Sequence, residues 1–152
     1  MNHCYLLVLL CLFGACSAPP APLVVKQFTM KDFKMNTEIE AMVLSEKQRH
    51  LFGAVSTAEF KARIGSYYTI IWNDPQGRGT GEVEILFEYQ QGATASQVKR
   101  MVRHFKSDES SGKTEFAIIG KDYYKNGRVL AWKTTLTRGK RIIASRQSHL
   151  WQ

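Results

Sequence analysis

Apolar residues fall into two patterns along this chain: one unbroken run near the start, and a series of short stretches in which apolar and polar positions alternate. The alternation is cleanest over residues 82–90, where Val83, Ile85, Phe87 and Tyr89 fall on one face and Glu82, Glu84 and Glu88 on the other. Period-two alternation predicts a half-buried strand with a solvated acidic face. Residues 24–32 open with two valines and alternate more loosely, which also reads as a strand. Residues 67–73 and 114–119 are continuous β-prone runs, and residues 97–106 end in the polar loop 107–112. The segments 128–136 and 141–150 flank residues 137–140 and predict a long terminal hairpin. Residues 74–81, with glycines at 77, 79 and 81, read as a hairpin turn, and Asn126-Gly127 carries a turn signal of its own.

Between residues 38 and 64 the pattern changes. Residues 38–44 fit strand or helix, whereas 45–52 favour a helix running up to Gly53. Ser56 followed by Glu59 is a capping box, which starts a short helix that Gly65 would stop. The 152-residue length suits one domain. About seven short strands without alternating long helices predict a mainly β fold, an antiparallel β-sandwich over residues 24–152 with one or two short helices between 38 and 64. The strand carrying Trp72 and the terminal hairpin resemble an immunoglobulin or fibronectin-type layout, although the cysteine pair of true immunoglobulin domains is absent.

The unbroken run, residues 6–13, is too short to span a bilayer, which needs about 20 apolar residues. It has the length of a signal-peptide core and is followed by the small residues Gly14 and Ala15. The Ser/Ala/Pro stretch over residues 17–22 then reads as a linker, because each proline lacks a donor and restricts the residue before it. All three cysteines, Cys4, Cys11 and Cys16, precede this linker, so residues 24–152 contain no disulfide and no thiolate metal site. Leu12-Phe13-Gly14-Ala15-Cys16 resembles the lipobox of bacterial lipoproteins, with Phe13 standing where that family most often has leucine. The resemblance implies a signal peptide over residues 1–15, a diacylglycerol-modified Cys16, and a tether over residues 16–23. Three acyl chains, each methylene contributing about 0.8 kcal/mol, would hold the protein permanently. Ser17 is not the aspartate that the family associates with inner-membrane retention, which implies the outer membrane, facing the periplasm.

Charge adds a partner class. The formal net charge is +8, and no Lys or Arg precedes Lys26, so the exported part carries all of it. Such a surface favours anionic lipid or an acidic envelope protein, and Lys26, Lys31 and Lys34 lie close to the tether. Basic residues such as Lys99, Arg100, Arg103 and Arg146, interleaved with Tyr67, Tyr68, Tyr123, Tyr124 and Trp132, have the composition of a single-strand-binding sheet. An exported protein rarely meets nucleic acid, however, and paired tyrosines in strands usually pack across sheets.

Reactive chemistry is sparse. The glycines at 77, 79 and 81 precede a strand and not a helix, so they do not form a phosphate-cradling loop. His50, His104 and His149 are far apart in sequence and suit structural or surface roles. Two carboxylates of the Glu82, Glu84, Glu88 stripe would stand roughly 6.5–7 Å apart on a strand, a glycosidase-like spacing that any amphipathic strand produces. The expectation is a non-enzymatic protein without metal or cofactor, an anchored β-domain with a binding or structural role in the cell envelope. A secreted, unanchored ligand-binding protein or enzyme is the alternative.

Overall fold

In the computed structural model, residues 21–34, 40–77, 79–94 and 97–151 are described. Seven strands form two antiparallel sheets: β1 (Leu23–Met30), β2 (Gly65–Asn73) and β5 (Ser111–Ile119) in the order β1-β2-β5, and β3 (Val83–Gln91), β4 (Lys99–Phe105), β6 (Val129–Arg138) and β7 (Arg141–Gln147) in the order β4-β3-β6-β7. The chain is mainly β, the expected antiparallel sandwich of seven strands, divided three and four between its sheets, consistent with the immunoglobulin or fibronectin-like layout.

The alternating strand behaves as its pattern requires. Val83, Ile85, Phe87 and Tyr89 of β3 are all buried and meet Tyr68, Ile70, Trp72, Phe116 and Ile118 from the other sheet. Phe87 stacks on Phe116 with ring centroids 5.2 Å apart, and Trp72 meets Phe105 edge-on at 5.2 Å. The continuous run in β2 has a different cause: this central strand is covered on both faces. Its inner residues enter the main core, while Tyr67 on the outer face joins Met30 and Leu51 in a second cluster beneath the helices.

Those helices are α1 (Ala41–Leu51) and α2 (Thr57–Ala62). α1 is built from good helix formers and presents Val43, Lys47, His50 and Leu51 on one stripe. Lys47 can be buried there because its Nζ donates to Asp32 Oδ1 at 2.8 Å and to the Lys34 carbonyl at 3.0 Å. The capping box at Ser56 and Glu59 is present in full. Glu59, fully exposed, is held below the usual carboxylate range by the backbone N–H groups of Ser56 and Val55.

Several local expectations are corrected. Gly65 does not stop α2; it opens β2 at φ 149°, where a Cβ would stand 2.2 Å from the Ile118 carbonyl oxygen. Residues 74–81 are not a hairpin turn, since β2 and β3 lie in different sheets and this segment crosses between them. Asn126-Gly127 is not a hairpin turn either. It ends a third helix, α3 (Gly120–Asn126), with Gly127 at φ 80° donating its N–H to the Tyr123 carbonyl. The last strand ends at Gln147, and residues 148–151 turn back so that Ser148 bonds Trp132 in both directions. Leu23, placed in the tether by sequence, is the first residue of β1 and is buried against Trp72. Cys16 and the leader lie outside the described residues.

The crossing segment is held by Arg138, whose side chain is 0% exposed. Its Nε donates to Asp74 Oδ2 at 2.9 Å, and its Nη atoms donate to the carbonyls of Gly81, Ser107 and Glu109 at 2.8–3.0 Å. Gly77 is needed at this point because a Cβ there would overlap the Asp74 carboxylate and the Arg138 guanidinium. One buried fork thus ties two loops to the end of β6, and deleting either charge of such a pair costs about 3–5 kcal/mol.

Candidate functional site

The richest side-chain chemistry lies on the outer face of the three-stranded sheet. Residues that point away from the core form cross-strand rows there: Phe28, Tyr67 and Ala117 in one, Lys26, Thr69 and Glu115 in the next, Val24, Ile71 and Lys113 in the third. α1 lies over this face and closes tightly only at its C-terminal end. At its N-terminal end Met42 and Val43 stand off from Ile71, which leaves a groove of about 460 Å³. The floor is apolar, with Phe28, Val43 and Ile71, and Lys26 and Lys113 line it without ion-pair partners among the described residues. Met42 is 74% exposed, an unusual placement for an apolar side chain beside a groove.

A charged cluster closes the inner end. Glu115 accepts from Arg49 Nη2 at 2.8 Å and from Thr69 Oγ1 at 3.0 Å, and Arg49 also bonds Glu46. His50, with its side chain 6% exposed, stacks on Tyr67 at 3.6 Å between centroids and also touches Phe28, 5.5 Å away. Its tautomer follows from its neighbours. Arg49 Nη2 lies 2.8 Å from His50 Nε2 and guanidinium can only donate, so Nε2 accepts and Nδ1 carries the proton, 3.8 Å from Glu115 Oε1.

Electrostatics agree with that assignment. Burial pushes the His50 imidazole below its ordinary value, against the pull of Glu115. Burial works in the opposite direction on Glu115, but the hydrogen bonds from Arg49 and Thr69 outweigh it and leave the carboxyl below the usual range. The Tyr67 phenol is pushed up to about 12 by burial, with the Glu115 charge adding to the effect. With its one lone pair engaged by Arg49, the imidazole has none to offer a substrate. The cluster fixes the groove's end; it is not arranged as a nucleophile and base.

The remaining sequence candidates are scattered. His104 is exposed on the outer face of the other sheet, 3.8 Å from Glu84, and His149 is exposed in the C-terminal turn. The acidic stripe lies on the outer face as expected, and its Glu88 pairs with Arg100 at 2.9 Å and stands opposite Lys133 in register. The basic and aromatic residues do not share a surface. Arg138 is buried, Lys99 bonds Gln91 and Asp122, and Tyr67 and Tyr68 point to opposite faces of β2. Comparison with protein-family models, with curated proteins and with solved structures found no match to this chain.

Sequence reasoning missed the groove and singled out His50 without its partners. The relevant signal was present in α1, where Met42 and Val43 sit one turn before Glu46, and Glu46 one turn before Arg49 and His50. It could not be read because Glu115, which completes the cluster, is 65 residues further on in the chain from His50.

Proposed function

We propose that this chain is an exported lipoprotein, anchored in the outer membrane through Cys16, whose sandwich is a non-enzymatic binding module of the cell envelope. The spacing between the anchor and the fold carries the reading. Six residues separate Cys16 from Leu23, and Leu23 is already a buried, paired residue of β1. Six extended residues reach about 20 Å, so the tether would hold the domain against the membrane surface.

That tether also sets an orientation. The Pro22 carbonyl accepts from the Asn73 N–H, and Asp74 follows at once with the Arg138 clasp and the β6–β7 turn beside it. The end turned toward the bilayer therefore carries the exposed cations Lys106, Lys140 and Arg141, which favour anionic headgroups. The groove under α1 lies on the flank, open to an envelope partner with an apolar segment and acidic neighbours.

The test is metabolic labelling with a tagged fatty acid followed by fractionation. The wild-type protein should take up label and sediment with membranes, whereas Cys16→Ala should be unlabelled and appear in the soluble fraction at ordinary ionic strength. An unlabelled wild type, or a Cys16→Ala protein that stays with the membranes, would rule out the anchor.

A further inference from the structure

The two sheets do not close along one side. β1 is the edge of the first sheet and β7 the edge of the second, and β7 pairs only with residues 133–138 of β6. Val129, Leu130 and Ala131 therefore have no strand beside them on that side, because the chain turns away after Gln147. Two clefts result, of about 380 and 270 Å³. They follow one another along β1, the larger bordered by its inward residues Gln27 and Thr29 and the smaller by Leu23 and Val25.

The chemistry of the seam changes along its length. Lys31 and Arg128 stand at the larger cleft, neither has an ion pair or side-chain hydrogen bond among the described residues, and no acidic residue lines it. Thr29 and Ser66 add a pair of hydroxyls 3.2 Å apart. Beneath them lies the Tyr68 phenol, which burial pushes up and a hydrogen bond with Ser66, a residue lining the cleft, pulls back. Val129, Leu130 and Leu150 supply an apolar wall, and the neighbouring cleft adds Val25, Leu23 and Trp132 beside the polar Arg146 and Gln147 at its rim.

We propose that this seam binds a single-chain anionic amphiphile, with a carboxylate or phosphate head between Lys31 and Arg128 and a hydrocarbon body lying along β1 toward Trp132. Two unpaired cations with hydroxyl donors select a multi-oxygen anion, and the apolar continuation selects a chain over a free ion. The site stands independently of the lipid anchor and of the groove under α1.

Calorimetric titration of the full-length protein with decanoate, kept below its micelle-forming concentration, tests this. A single saturable site is expected, with decanol binding at least about tenfold more weakly because it offers no charge. The double variant Lys31→Glu/Arg128→Glu should lose about tenfold or more for decanoate while leaving decanol unchanged. Both side chains are exposed, so an unaltered thermal unfolding midpoint would verify that the variant is folded, and the apolar leader cancels between the two proteins. Decyl phosphate in a parallel titration distinguishes the two heads. The proposal fails if decanoate shows no saturable binding, if decanol equals decanoate, or if the charge-reversed variant binds decanoate as tightly as wild type.

Discussion

His50 shows how far a single side chain can be understood from its contacts. Its neutral state rests on burial and on an Arg49 contact that acceptance by Nε2 makes possible. Above its ordinary value near 6.5, folded and unfolded chains both hold it uncharged. As pH falls below that point the unfolded chain takes up a proton that the folded chain resists, so stability declines until the pH passes the folded value. Glu115 acts in the same direction lower down: its folded carboxyl lies below 4.5, so its contribution is lost as pH falls through that depressed value. Urea midpoints measured from pH 7 to 5 should therefore fall in the wild type and fall less steeply in His50→Gln. Equal slopes in the two proteins would show that another group governs the decline. The sequence exposed none of this, because an isolated histidine looks the same whether it is stacked on a buried aromatic ring or free in water.

Individual elements were legible to very different degrees. β3 was read correctly because strict alternation has one physical cause, a sheet with a wet face and a dry one. The capping box before α2 was equally readable, since both of its hydrogen bonds are local to four residues. Replacing Ser56 with Ala removes one of them and should lower stability by about 1 kcal/mol, seen as a lower urea midpoint with an unchanged denaturant slope. A midpoint equal to wild type would mean that the Glu59 half of the box and Phe60 packing on Phe33 suffice to hold α2. The glycine signals misled for the opposite reason. A glycine serves hairpins, helix ends and close approaches alike, and which of these applies depends on where the next strand goes. Gly127 ends α3 and Gly77 makes room for the Arg138 clasp, yet both sit in strings that read as simple turns.

For the whole molecule, the sequence was enough to yield a β-sandwich and a net positive charge, but it could not show where that charge is spent. Part of it is internal: Arg138, Lys47 and Lys99 are committed to hydrogen bonds that hold loops and helices in place. Under the proposed anchoring, the cations still exposed at the end nearest Pro22 are those that would meet a membrane. With Cys16→Ala removing any anchor, the protein should still co-sediment with vesicles containing phosphatidylglycerol at low salt and detach as ionic strength rises. At about 1 kcal/mol per cation, reversing Lys140 and Arg141 to Glu should weaken that adsorption about tenfold or more. Adsorption that ignores both salt and these substitutions would place the contact elsewhere.

The seam beside β1 has a mechanical consequence. The strand that would bear any pull from the tether is an edge strand, hydrogen-bonded to β2 alone and touched across the seam only lightly, as where Arg146 reaches the Leu23 carbonyl. The same strand is one wall of the cleft. A molecule lodged there and lost on unfolding would stabilise the closed state in proportion to the logarithm of its concentration over its dissociation constant. It would act as a rivet, so that the load this domain withstands before its first strand peels away is set by what occupies the seam.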